Sequence, residues 1–283
     1  MPRILFLMLF PGLLLLGGCF SAPPQAQLIG SSGQAMVATT ACSERLFDPA
    51  TDKSLPADGF SLASWNIYKQ GMIGWQKDLA RLSADADILL LQEAWLQPAL
   101  RVELKQANLE WEMSPGFQYR GAPAGVIIAS KSSSSANCSL VYREPHIYLP
   151  KAVLLSYYPI EGRLERLLVV NVHSVNFSVG TKGYAMQLQS AKNIMDSHAG
   201  PMVLAGDFNT WSDARMTALN TLSQEMGMEV VYFEGQQPAE HIGRVVDHIY
   251  FKGLTAIESK VLTVESSDHY PLEVRFVLDD NAI

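Results

Sequence analysis

Six apolar runs in this chain stop abruptly at an acid, an amide or an imidazole. SLASW ends in Asn66, DILLLQ in Glu93 and LLVVNV in His173. MVLAG ends in Asp207-Phe208-Asn209, RVV runs into Asp247-His248, and LTVESS runs into Asp268-His269. An acid or imidazole beside a buried strand is costly unless it is hydrogen-bonded, paired or bound to a metal. One such end needs no more than a strand meeting water, with Asp or Asn opening the turn. Six in one chain predict convergence on one edge of the fold. Carboxylates and amides gathered there suit Mg2+ or Mn2+, which take oxygen ligands. A zinc site would show close His or Cys spacing such as HExxH or CxxC, and neither occurs. GxGxxG, GxxxxGK[ST] and GxSxG are also missing, so nucleotide-cofactor, P-loop and lipase-elbow chemistry lack support. Metal-assisted hydrolysis of a phosphate ester is the chemistry that remains.

The elements that must position these residues are short. Alternation and β-branched content predict strands over 60–66, 87–92, 124–130, 139–143, 151–157, 166–172, 202–206, 229–233, 245–251 and 272–277. Helical periodicity falls at 75–83, 98–107, 184–197 and 212–226; Ser212 or Asp213 caps the last, and Gly227 follows its end. Many strands and few helices argue for packed sheets with helices on their outer faces. The four serines at 132–135 read as a surface turn.

At the strand ends a resemblance becomes plain. Trp65-Asn66-Ile67, Leu91-Gln92-Glu93, Asn171-Val172-His173, Gly206-Asp207-Phe208-Asn209, Asp247-His248-Ile249-Tyr250 and Ser267-Asp268-His269-Tyr270-Pro271-Leu272 stand in the order seen in the endonuclease/exonuclease/phosphatase superfamily. That DNase I-like family includes abasic-site nucleases, sphingomyelinases and inositol-polyphosphate phosphatases. The resemblance runs from Phe60 to Val277, and SWNIYK at 64–69 and NFSxG at 176–180 are like stretches of uncharacterised bacterial members. It implies an α/β fold, a four-layer α/β/β/α sandwich of two packed mixed sheets with outer helices and the site at one edge. It also implies roles. Glu93 would hold Mg2+ (or Mn2+), with Asn66 and Asp268. Asp207, oriented by Asn209, would position or activate water. His269, fixed by Asp247, would face the phosphate, and His173 would donate to a non-bridging oxygen. The presence of His173 resembles the DNase I-like and sphingomyelinase branches more than the abasic-site branch. Acid–base help of this kind is worth 10²–10⁴-fold, so metal and preorganisation must supply most of the rate.

Other residues invite plainer readings. His248 neighbours Asp247 on a strand and so faces the opposite side, as a structural residue. His146, His198 and His241 lack partnered motifs and read as surface or loop residues. Residues 176–184 either line a substrate groove or form a plain strand-to-helix loop. Lys69, Lys182 and Arg244 either contact phosphate or are solvated. Trp75, Trp95, Trp111 and Trp211 read as core or rim packing.

The chain's start reads as an address. Residues 1–18 carry Arg3 and a short apolar run, too short to span a membrane permanently, ending in the lipobox-like Leu16-Gly17-Gly18-Cys19. The expected organisation is a lipoprotein-type signal peptide at 1–18, a lipidated Cys19 with a flexible tether to 55, and one catalytic domain over 56–283. Phe20 after the cysteine favours the outer membrane, facing the periplasm, by resemblance to lipoprotein sorting rules. Cys42 and Cys138 remain, either as an intrachain disulfide in that oxidising compartment or as two free thiols. The 283 residues, 48% hydrophobic and 17% charged, can bury a sizeable core. A net charge of −7 argues against gripping nucleic acid by bulk electrostatics but leaves room for a local site. The expectation is a monomeric metal-dependent phosphodiester hydrolase acting on nucleic acid or a phospholipid head group. No apolar hairpin suited to membrane insertion stands out in the sequence. The alternative is a non-catalytic envelope lipoprotein that keeps the same fold as a binding scaffold.

Overall fold

The computed structural model of the chain describes residues 20–22, 26–31, 35–37, 41–44, 48–144, 149–176, 180–235 and 237–279. The expected signal peptide, Cys19, His146 and residues 177–179 lie outside the described residues. Among the described residues no helix is long and apolar enough to cross a membrane.

Two mixed sheets face each other. The first runs, in spatial order, through Leu254–Val261, Leu272–Leu278, Phe60–Asn66, Ile88–Trp95, Ala122–Ser130, Glu110–Tyr119, Gln27–Gly30 and Ala35–Val37. The second runs through Glu229–Val230, Asp247–Lys252, Met202–Asp207, Arg166–His173, Pro150–Pro159, Ala136–Arg143 and Ala41–Glu44. Period-two alternation assigns each face. Leu62, Leu90 and Ile128 point between the sheets and meet Leu154, Val169, Val203 and Ile249 of the second. Their neighbours Ala63, Trp65, Leu89 and Leu91 point outward, against Trp75, Leu79 and Leu82 of helix α1 (Trp75–Asp85) and Leu100 and Leu104 of α2 (Pro98–Gln106). On the other side Val170, Val172 and Leu204 pack under α3 (Lys182–Met195) and α4 (Asp213–Glu225). Three apolar interfaces therefore separate four layers, the α/β/β/α sandwich that the resemblance implies. Full burial of each Leu, Ile or Val among these contributes about 1.5–3 kcal/mol.

The register brings the strand ends level. His173 pairs with Asp207 on the parallel neighbour, and Asp207 pairs with Asp247 on the antiparallel one. In the first sheet Asn66 stands beside Gln92. Gly206 permits the close approach of the two parallel strands: its φ is +135°, and a Cβ there would lie 2.1 Å from the Val172 carbonyl oxygen.

Several expectations are corrected. Residues 19–55 are not all tether, because Gln27–Gly30, Ala35–Val37 and Ala41–Glu44 extend both sheets, and Leu28 and Ile29 are buried. Cys138, by contrast, is disulfide-bonded, as the first of the two alternatives has it, and the strand register sets Cys42 directly opposite it. Two longer strands also escaped the sequence reading. Glu110–Tyr119 contains Pro115 and Gly116 and shifts register there, and Leu254–Val261 is a sheet edge with mostly exposed or half-exposed positions. The 132–135 serines are buried rather than a surface turn, with Ser133 and Ser134 donating to Glu110 and Glu112.

Candidate active site

Each functional side chain is aimed by its strand's last residues. The predicted strand at 87–92 continues to Trp95, and its register shifts between Leu91 and Ala94. Gln92 points between the sheets, donating 2.8 Å to Asn171 Oδ1, while Asn171 donates to the Leu91 and Ile127 carbonyls. This buried amide clasp ties the sheets together directly beneath the site. Glu93, at the bulge, has φ +50°, which turns its carboxylate to the edge. A non-glycine residue in that region is strained by about 1–2 kcal/mol, a cost typical of functional positions.

Asp207 is the hub. Its Oδ1 accepts from the Asn209 backbone amide at 2.9 Å, in a turn where Asn209 adopts φ +49° and its side chain donates to the Ser174 carbonyl. Its Oδ2 accepts from Asn66 Nδ2 at 3.0 Å, and lies 3.5 Å from His173 Nε2 and 4.0 Å from His269 Nε2. His269 Nδ1 meets Asp247 Oδ2 at 2.7 Å. The loop bearing His269 is fastened by Ser267 Oγ to the Asn66 carbonyl at 2.7 Å and by Trp65 Nε1 to the His269 carbonyl. All six of Asn66, His173, Asp207, Asn209, Asp247 and His269 are buried. Supports lie one layer out. Gln187 of α3 donates to the His173 carbonyl and accepts from Val175 N. The buried Arg215 of α4 donates to the carbonyls of Val175, Asn209 and Asn176.

Charge balances closely here. Burial alone would raise the Glu93 pKa, but His173, Lys151 and Lys69 outweigh it and hold the carboxyl at about 2. The Lys69 ammonium pairs with Glu93 Oε2, and Lys151 Nζ lies 3.8 Å from Oε1. Burial, joined by Lys151, pushes His173 well below the usual imidazole range. Lys151 Nζ donates to the ring's Nε2 at 2.7 Å, so the proton-rich group on that side is the ammonium, not the imidazole expected to donate. For His269 burial pulls downward, yet Asp247, Asp207 and Asp268 raise it to about 10, leaving an imidazolium with a free Nε2–H. Asp247 is itself raised by burial and restrained by His269.

The structure thus brings together the eight residues singled out, Glu93 entering through His173 Nε2 at 3.7 Å and Asp268 through His269, their ligand atoms within 4.8 Å. Asp268 is exposed, with its carboxylate beside His269 and His241. His248 faces away, its Nε2 2.8 Å from Thr210 Oγ1. Arg244 pairs with Asp213, Lys182 is exposed, and His198 sits against the Pro201 carbonyl. Lys151 was missed, since no motif flags a lysine opening a strand. His241 reads from sequence as a surface or loop residue, but it lies half-buried in a two-residue strand, and its ring stacks on His269 with centroids 4.2 Å apart.

The edge suits a hard dication. Glu93 is a fixed anion at neutral pH, and two ammonium groups already gather at it. Carboxylate and amide oxygens from Glu93 and Asn66 would hold the ion.

A sandwich of this kind with Asn, Glu, Asp-x-Asn and Asp-His at its edge defines a class, and the sequence match agrees. The chain belongs to the endonuclease/exonuclease/phosphatase family, whose model matches residues 63–269. Among curated relatives, a UPF0294 protein of Vibrio parahaemolyticus is 36% identical over 263 residues, 92% of each chain. A UPF0294 protein of Yersinia pestis is 39% identical over 245 residues, 82% of this chain and 93% of that one. Among solved structures, an endonuclease/exonuclease/phosphatase protein from Beutenbergia cavernae superposes with a TM-score of 0.60 at 18% identity, covering 78% of this chain and 72% of its own. ANGEL2, a 2′,3′-cyclic phosphatase solved with adenosine-2′,3′-vanadate, gives a TM-score of 0.62 at 16% identity, covering 86% and 100%. Zebrafish (D. rerio) TDP2 with a single-strand DNA product gives 0.56 at 18%, covering 77% and 98%.

Proposed function

We propose that this chain is a Mg2+- or Mn2+-dependent phosphodiesterase, acting on nucleic acid or a phospholipid head group. It is exported and held at the outer membrane by lipid on Cys19, with the Cys42–Cys138 bridge closing the domain. The observation that carries the reading is the Asp207 carboxylate, reached at once by Asn66, His173 and His269. The nucleic-acid half draws support from the bound product in the TDP2 structure. The lipid half draws support from the lipobox-like Cys19.

A bound dication would supply the positive charge that offsets charge growing on the phosphorane and leaving oxygens. The chain's own residues do the rest. Asp207, with Oδ1 fixed by Asn209, keeps Oδ2 to orient a water and take its proton. The His269 imidazolium, held by Asp247, donates Nε2–H to a phosphate oxygen, and Lys151 supplies a second donor. The buried walls keep these groups from reorganising when charge moves. The test is hydrolysis of bis(p-nitrophenyl) phosphate, single-stranded and duplex DNA, RNA and phospholipid vesicles, with and without Mg2+. Turnover that needs the ion supports the reading. Absence of turnover on every substrate removes it.

A further inference from the structure

The Glu240–His241 and Arg244–Val245 strands pair as a small hairpin separate from both main sheets. It lays His241 on His269, with 29° between the ring planes. His241 Nε2 is buried yet has no hydrogen-bond partner. A buried polar nitrogen left unpaired costs free energy and calls for an explanation. The hydrolytic steps above do not use it. Asp268 lies on the same side, its carboxylate beside both rings. One ligand atom from each of His241, Asp268 and His269 falls within 4.8 Å of the others.

The donor set differs from that at Glu93. Two imidazoles and one carboxylate suit borderline transition metals such as Zn2+ and Co2+, whereas oxygen donors suit Mg2+. Asp247 holds His269 Nδ1 at 2.7 Å and so leaves Nε2 as the outward atom. A carboxylate behind an imidazole is the usual support for a metal-ligating histidine. Zinc bonds of about 2.0–2.1 Å require the three donors to close in slightly. The exposed Asp268 side chain and the two-residue strands of the hairpin can supply that movement.

We propose that His241, Asp268 and His269 form a transition-metal site whose occupation by Zn2+ shuts the enzyme down. Binding displaces the His269 Nε2 proton to solvent and puts a metal–nitrogen bond in its place, so that nitrogen no longer reaches phosphate. Metal binding stands on the geometry alone; the inhibitory consequence rests on the hydrolase reading.

The experiment titrates the full-length protein, purified in detergent and stripped of metal, with Co2+ while recording visible d–d absorption, then competes with Zn2+. His241→Phe keeps a ring against His269 but carries no nitrogen, and Asp268→Asn serves as a second variant. Thermal melts confirm that each is folded. The wild type is expected to give ligand-field bands that Zn2+ removes, and both variants to bind at least about tenfold more weakly. Mg2+-supported hydrolysis by His241→Phe should persist and resist Zn2+. Equal Co2+ affinity in wild type and His241→Phe, or no bands in the wild type, overturns the site. Co2+ binding lost in the variants without any hydrolysis by wild type would retain the site and remove the hydrolase reading instead.

Discussion

Asn66 and Asp207, 141 residues apart in the chain, are joined by a 3.0 Å hydrogen bond from amide to carboxylate. Asn66 ends a strand of one sheet and Asp207 ends a strand of the other, so the contact spans the sandwich at its rim. It exists only because both sheets hold their register and the space between them is fixed. Catalytic geometry here is therefore a property of the packing as much as of the edge.

The clasp beneath that contact should be measurable as stability. Asn171→Leu leaves Gln92 Nε2 and the Leu91 and Ile127 carbonyls short of partners that they have now. A loss of about 1–3 kcal/mol in urea unfolding is expected. Gly206→Ala, which forces a Cβ onto the Val172 carbonyl, should cost more than Asn171→Leu. Unchanged midpoints in both variants would contradict the described packing.

Stability should follow pH through His269. Its pKa is raised on folding, so the folded state holds the proton more tightly than the unfolded chain does. The contribution is complete below about pH 6.5, the ordinary imidazole value, and is lost as pH climbs toward about 10. The stability gap between wild type and His269→Ala should narrow across that window. Glu93 has the opposite sign: its contribution is present above pH 4.5 and lost as pH falls toward about 2, so the gap to Glu93→Gln should narrow on acidification. Chemical denaturation at stepped pH values measures both.

Lys69 and Lys151 compete with any dication for Glu93. Replacing either by Met should tighten Ca2+ or Mg2+ binding by about 1 kcal/mol, roughly fivefold, in calorimetry on the metal-free protein. The Lys151 variant should also raise KM, because it removes a donor facing the phosphate. Weaker metal binding in both variants would mean that the ammonium groups support the ion indirectly.

Much of this was legible beforehand because strand termini announce themselves. A hydrophobic run that ends in Asp or His shows in one dimension, and Gly206-Asp207-Phe208-Asn209 carries both its turn and its chemistry. Lys151 could not be seen that way, since its role arises from lying beside His173 on the neighbouring strand. His241 reaches the site through a two-residue hairpin strand too short to leave a periodic signal. The N-terminal strands were hidden for a related reason. Gln27–Gly30 and Ala41–Glu44 gain their order from the sheet edges they join, and their small, polar neighbours read locally as a tether.

The most direct measurement is Mg2+-dependent hydrolysis of bis(p-nitrophenyl) phosphate by wild type and Asp207→Asn, with urea melts run alongside. The substitution keeps the shape of the side chain and removes its charge and its capacity to take a proton. The expected result is a fall in kcat of at least about 10²–10⁴-fold with folding intact. Undiminished turnover by Asp207→Asn would contradict the account, since the carboxylate on which Asn66, His173 and His269 converge would then have no part in the chemistry.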